Sequence, residues 1–322
     1  MSSIIVVGGS GFIGTHLTTV LLSYESIAKI VVLDIAPPKI HHERIEYIYT
    51  DIRNKIELRL NDCNTIFHLA ALCKEPGYEW EDYFVTNYIG TKNVCDFALT
   101  NGITNVLFTS TMMVFNPSKK KNSEEDLTAP DTAYGISKLL AEEVLINWHK
   151  SSPGHRLRII RPGVVFGKGE NGNYTRLVQA LKYNLFAYIG TKRTIKGSIY
   201  VKDVVKFLLY LINDNHKRII YNFVLSQPDT IESICKTICA VMGWKRFIPV
   251  IPFKFALLLS YVFELLNQIG VRNPVHHRRI EKLYYSTHLS TDAVLTTGFQ
   301  YSFTLRSALE DWKKECNGRG LF

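Results

Sequence analysis

The chain has 322 residues, 46% of them hydrophobic, 12% aromatic and 21% charged. That balance excludes a disordered chain, which is less apolar, and a bundle of membrane spans, which is less charged. Thirty-eight Lys and Arg against 29 Asp and Glu leave a formal charge of +9, which suits an anionic partner such as nucleic acid, anionic lipid or a phosphorylated ligand.

Six cysteines, at 63, 73, 95, 235, 239 and 316, form no CxxC pair. They point to reduced thiols, mostly core filler, in a cytoplasmic protein. The opening MSSIIVVGGSGFIG has no basic n-region and reaches glycine quickly, so no signal peptide is expected.

In chain order, short β-branched runs at 4–8, 30–34, 45–50, 65–70, 105–110 and 158–161 read as strands. Segments 14–24, 56–60, 83–100 and 134–149 read as the helices between them. Alternating strands and helices predict an α/β fold, a Rossmann-type doubly wound parallel sheet. The strands are continuous apolar runs, as expected when helices cover both faces. Residues 1–161 form the predicted dinucleotide-binding domain. Residues 162–322 form a smaller, mixed, mainly substrate-binding region, from which the chain returns to the sheet near 199–225. The charge run Lys119–Lys121 and Glu124–Asp126 reads as a solvated loop.

The loop GGSGFIG at residues 8–14 directly follows the first strand and opens a helix. In this context Gly8 permits the tight turn, Gly11 lets backbone N–H groups approach a pyrophosphate, and Gly14 allows close helix–strand packing. Asp34 ends the second strand, 20 residues after Gly14. Its carboxylate is suited to adenosine ribose hydroxyls and repels a 2′-phosphate, which favours NAD over NADP. Lys39 and Arg44 follow in a loop that could oppose this preference. Further on, Tyr134 and Lys138 stand at i and i+4 of one predicted helix face. A nearby ammonium, with a positive nicotinamide, favours the phenolate and suits Tyr134 to proton transfer.

These motifs occur in a familiar order. GGSGFIG, Asp34, Asp51-Ile52, His68-Leu69-Ala70-Ala71, NYIGTKN at 87–93, FTST at 108–111, YGISK at 134–138 and RPGVVFG at 161–167 resemble the extended short-chain dehydrogenase/reductases of the NAD-dependent epimerase/dehydratase family. The segment IYVKDV at 199–204 extends the likeness. The resemblance implies that Tyr134 is the acid/base, that Lys138 tunes it and grips the nicotinamide ribose, and that Thr111 bonds the reacting oxygen. It implies an NAD site formed by Gly8, Gly11, Phe12, Ile13, Gly14, Asp34, Asp51, Ile52, Leu69, Ala70, Ala71, Thr109 and Pro162 with Tyr134 and Lys138. Asn87 belongs there as a group that steadies neighbouring loops, and His68 is expected to be buried and satisfied. Thr111, Met112, Val164 and Lys196 are the implied substrate contacts, and no metal is expected.

Val164 stands near a position where many nucleotide-sugar members carry a diphosphate-binding Asn, whereas Lys196 matches a phosphate-contacting basic residue. The second half is also similar, less specifically, to members acting on undecaprenyl-diphosphate-linked N-acetylhexosamine and to 3β-hydroxysteroid dehydrogenase-like members. The leading expectation is a C4 epimerase of a diphosphate-linked sugar in bacterial surface-polysaccharide synthesis. It works through a transient keto sugar, as a homodimer in the cytoplasm or at the inner membrane face. A keto-sugar or hydroxysteroid-like reductase, and a non-catalytic dinucleotide-binding protein, are the alternatives. Met112 and Met113 replace the acidic pair usual in dehydratases, and no nucleic-acid recognition motif is present.

The stretch 255–267 is interrupted by Glu264 and falls short of the ~18 apolar residues of a membrane span. With the surrounding 247–270, the basic run His276–Arg279 and Lys282, it forms either a peripheral membrane contact, a buried helix or a dimer contact.

Overall fold

The computed structural model describes residues 2–74, 77–117, 120–268, 277–318 and 320–321. Residues in the N-terminal half form β1 (Ser2–Val7), α1 (Phe12–Leu21), β2 (Ile27–Asp34), β3 (Ile45–Tyr49) and β4 (Cys63–His68). Then come α2 (Trp80–Tyr83), a π-helical segment (Phe84–Ile89), α3 (Gly90–Thr100), β5 (Asn105–Thr109), a 3₁₀ turn (Met112–Val114), α4 (Ala133–Lys150) and β6 (Arg156–Pro162). The second half supplies β7 (Val164–Phe166), α5 (Asn173–Lys182), β8 (Tyr188–Ile189), β9 (Ser198–Tyr200), α6 (Val201–Ile212) and β10 (Ile220–Phe223). It ends with α7 (Ile231–Met242), β11 (Val250–Ile251), α8 (Phe253–Gln268), α9 (His277–Tyr284), α10 (Asp292–Thr296) and α11 (Leu305–Glu315).

Seven parallel strands make the central sheet in the order β10-β6-β5-β4-β1-β2-β3. Strand order reverses between β1 and β4, so a crevice opens at the carboxyl ends of those strands. Alternate residues of β1 explain its unbroken apolar run: Ile4 and Val6 face the layer containing α1, α6, α7 and α11, while Ile5 and Val7 face α3 and α4. Burial on both faces removes the polar alternation that a half-exposed strand would show. The short pairs β7–β9 and β8–β11 lie outside the main sheet.

Residues 56–60 differ from the expected helix and are irregular. The end of α3 satisfies their backbone instead: Leu60 N–H donates to Asn101 Oδ1 at 2.8 Å, and Asn101 Nδ2 donates to the Leu58 carbonyl at 3.2 Å. Ile56 still fills the core, so its hydrophobicity is used without a helix. Nor is the acidic end of the charge run simply solvated. Glu124 accepts from the Asn222 N–H at 2.7 Å, Glu125 pairs with Arg218 and Asp126 with Lys120. Lys119 lies outside the described residues.

Candidate active site

The glycine loop is shaped by contacts that leave no room for side chains. Gly8 has φ +85°, and a Cβ there would lie 2.5 Å from the Ala70 nitrogen; a Cβ on Gly14 would lie 2.3 Å from the Gly8 carbonyl oxygen. The β1 exit, the start of α1 and the Ala70–Ala71 segment after β4 are thereby drawn together. Leu69 continues the ladder, its N–H donating to Val7 O at 2.8 Å. Gly11 caps α1 with no side chain, and no acidic residue occupies the first turn, where Phe12 and Ile13 present N–H groups without intrahelical acceptors. An anion is favoured at such a terminus.

Asp34 reaches this loop from β2. Its carboxylate accepts from the Ser10 N–H at 2.9 Å and the Ala36 N–H at 2.9 Å. Arg44 turns away, donating to the carbonyls of Leu22, Tyr24 and Ile27, whereas the exposed Lys39 borders a small recess beside Gly9 and Ser10. Asp51 is engaged by Arg53 through hydrogen bonds of 2.6–3.0 Å, which hold its carboxyl below the usual range. Ile52 is buried against the start of α3, and its carbonyl accepts from Asn93 at 2.7 Å.

Tyr134 and Lys138 lie in the first turns of α4. Thr132 caps that helix by accepting from the Gly135 N–H at 3.1 Å. Thr111 opens the 3₁₀ turn after β5, its hydroxyl accepting from the Met113 N–H at 3.1 Å and lying near enough to the Tyr134 phenol to favour its ionised form. Gly135, unremarked in the sequence reading, lets these two elements meet, because a Cβ there would stand 2.3 Å from the Met113 carbonyl oxygen. Met112 joins Val114, Phe115, Val224 and Leu289 in an apolar cluster.

The electrostatics depart from expectation at Tyr134. Desolvation among protein groups raises its pKa, and the nearby Thr111 hydroxyl only partly opposes this. Lys138 is 1% exposed; burial pushes its ammonium down to about 7 while Glu142 supports the charged form. That ammonium sits 3.8 Å from the Phe108 ring centroid and makes no ion pair with described residues. Thr109, at the same strand edge, has a buried hydroxyl with no hydrogen-bond partner among them. A phosphate-shaped loop, an orphaned hydroxyl and a buried ammonium on one sheet edge fit a dinucleotide whose ribose supplies the polar partners.

Asn87 ties this edge together. Its amide accepts from the Leu72 N–H at 2.8 Å and donates to Leu72 O and Ser137 Oγ at 3.0 Å each. His68 is buried but only half satisfied: Nε2 lies 2.9 Å from Thr91 Oγ1, whose hydroxyl donates to Asn87 O, while Nδ1 has no partner among the described residues. Burial and Lys138 push its pKa down to about 3, so it is neutral. The sequence reading also missed Glu142. It receives Arg161 Nε at 3.0 Å and Nη2 at 2.6 Å, together with the Ser110 hydroxyl. Its spacing of four after Lys138 places it on the Tyr134 face of α4, the one signal that could have found it.

The expected substrate residues do not all converge. Pro162 ends β6, and Val164 opens β7, half-buried against the core. Lys196 donates to the carbonyls of Lys282 and Tyr285 at 2.6 Å each, and burial pushes its pKa down to about 7. It borders a recess of about 260 Å³ between β9, the segment after β10 and residues 287–291, which includes none of Thr111, Tyr134 or Lys138.

Comparison with known proteins agrees with this arrangement. A sequence model described as the NAD dependent epimerase/dehydratase family matches residues 4–223. The chain is 29% identical over 314 residues to the N-acetyl-alpha-D-glucosaminyl-diphospho-ditrans,octacis-undecaprenol 4-epimerase of Escherichia coli O157:H7, covering 96% of this chain and 93% of that protein. A 3 beta-hydroxysteroid dehydrogenase/Delta 5-->4-isomerase of monkeypox virus is 29% identical over 182 residues, covering 51% and 53%. The structure of UDP-glucuronic acid 4-epimerase from Bacillus cereus in complex with NAD superposes with a TM-score of 0.74 over 97% of this chain and 99% of that one, at 18% identity. At that identity the likeness bears on the fold alone.

Proposed function

Because the chain belongs to the NAD dependent epimerase/dehydratase family, we propose that it is an NAD-dependent 4-epimerase of a diphosphate-linked sugar, with Thr111, Tyr134 and Lys138 as its catalytic residues. The observation that carries this reading is the close approach of the Thr111 turn to the start of α4 at Gly135, which sets Tyr134 and, one helical turn on, the buried Lys138 ammonium on the same sheet edge as the glycine loop. Thr111 holds the reacting sugar oxygen while Tyr134 takes its proton. The glycine loop, Asp34, Thr109 and Lys138 would hold NAD, which would supply reversible hydride-accepting chemistry beside Tyr134. Desolvation keeps the Tyr134 phenol protonated, so the nearby positive charge of Lys138 is needed to oppose that effect during proton removal. Asp34, held against Ser10, directs the preference to NAD. Asn87 fixes the loop after β4 against α4.

For the carrier, we favour a polyprenyl diphosphate over a nucleotide. The E. coli undecaprenol-linked enzyme matches along nearly its whole length, and Val164 offers no polar group to a diphosphate. This reading places the protein as a homodimer at the cytoplasmic membrane face, in surface-polysaccharide assembly; light scattering reads the assembly state. The half-length similarity to the viral hydroxysteroid enzyme supports the second reading, a reductase using the same Tyr134 as proton donor.

Incubation with polyprenyl-diphosphate N-acetylglucosamine, and separately with UDP-N-acetylglucosamine, followed by sugar analysis, tests these alternatives. The expected result is 4-epimerised sugar from the lipid-linked substrate without net NADH formation, abolished in Tyr134→Phe with its fold and NAD binding intact. Stoichiometric cofactor consumption would assign the reductase, and substantial turnover by Tyr134→Phe would remove that residue from its role.

A further inference from the structure

We propose that the outer face of α8 is the surface by which this protein sits on an anionic lipid bilayer, a proposal that rests on the lipid-linked carrier. The helix is turned opposite to an ordinary core helix. Its small residues Ala256 and Ser260 face inward and are buried, while Phe255, Leu258, Leu259 and Val262, at i, i+3, i+4 and i+7, face outward. Leu258 is 65% exposed, and Phe247, just ahead of the helix, is 89% exposed. Contiguous apolar surface of this kind marks an interaction face. Among the described residues no helix is long and apolar enough to cross a membrane. Residues 269–270 and His276 of the stretch singled out from sequence lie outside the described residues.

Two observations select a bilayer as the occupant. Among the described side chains of residues 245–284, Lys245, Arg246, Lys254 and Lys282 stand against Glu264 and Glu281, a net +2, which complements anionic headgroups. The same charge opposes a second copy, because a two-fold contact sets each patch against itself. The face is also joined, through α9, to Lys196 and the recess beside it. Phe253 of α8 stacks on Tyr284 of α9 with ring centroids 4.1 Å apart, and Tyr261 stacks on His277 at 5.3 Å. Lys196, the expected phosphate contact, donates to the Lys282 and Tyr285 carbonyls at and just beyond the end of α9. A lipid-linked diphosphate could therefore reach this region while its chain remained in the bilayer beneath α8.

Flotation with phosphatidylcholine vesicles, with and without about one third phosphatidylglycerol, tests the surface at low and raised salt. The full-length protein should float with the anionic vesicles at low salt, less so as salt rises, and weakly with phosphatidylcholine alone. Leu258→Glu should reduce the bound fraction by about tenfold or more, leaving the thermal melt and turnover of a water-soluble short-prenyl diphosphate sugar unchanged. Lys254→Glu, also exposed, should weaken the salt-sensitive part of binding.

No flotation at low salt, or undiminished flotation of a folded Leu258→Glu, would overturn the proposal. So would conversion of a dimer to a monomer by Leu258→Glu, which would assign the face to a second copy. Failure of the carrier reading is separate: turnover of UDP-sugar but not of the short-prenyl substrate overturns that reading whatever the flotation shows.

Discussion

Replacing Gly135 with Ala adds one methyl group where α4 meets the turn that carries Thr111. The new Cβ would stand 2.3 Å from Met113 O and 3.0 Å from Pro130 Cβ, so ordinary contact requires the helix and turn to part by about 1 Å. Two effects compete. Ala is favoured over Gly inside a helix by about 1 kcal/mol, while overpacking costs about 1–3 kcal/mol. Net destabilisation of about 0–2 kcal/mol is expected, with the larger effect on rate, because a displacement near 1 Å between reacting groups costs roughly a hundredfold. The assay is kcat for the epimerisation beside a thermal melt and an NAD titration. Gly154→Ala serves as the control, since its nearest heavy atom would be Ser152 Oγ at 3.9 Å; there stability should change by less than about 0.5 kcal/mol. A Gly135→Ala enzyme with wild-type kcat would refute the argument that this glycine sets the Thr111–Tyr134 distance.

Glu142→Ala should cost about 3–5 kcal/mol in urea unfolding, because the buried Arg161 guanidinium loses its carboxylate partner; a loss under about 1 kcal/mol would show that the pair contributes little. The buried Lys138 titrates near 7 against an ordinary value of 10.5, so between these values the unfolded chain holds the proton and the stability penalty from this group fades as pH rises. NAD affinity should move the other way, weakening from about pH 6 to about pH 9 as the ammonium facing the ribose is lost, and a flat profile equal to that of Lys138→Met would exclude the contact. NAD should bind at least about tenfold more tightly than NADP, since Asp34 holds the loop and repels a 2′-phosphate; tighter NADP would mean that Lys39, beside Ser10, governs the selectivity.

The strand–helix alternation of the first half, the glycine loop and the i, i+4 spacing of Tyr134 and Lys138 were legible in the amino-acid sequence because each rests on local rules, whereas Thr111 was singled out only through the family resemblance. Apolar runs, turn residues and i, i+4 spacing report on neighbours within a few residues. Long-range partners were not legible. Residues 56–60 have an apolar pattern compatible with a helix, yet Asn101 satisfies their backbone from 41 and 43 residues away. Likewise Glu142 gains its meaning from Arg161 and Ser110, which approach only when β5 and β6 lie beside α4. The apolar composition of 255–262 was visible, but only the packed structure showed that Ala256 and Ser260 face inward while Leu258 and Val262 face solvent. Local sequence specifies what a segment is able to bury, whereas the tertiary structure decides which face, charge and carbonyl it meets, because desolvation and pairing depend on groups brought together from distant parts of the chain.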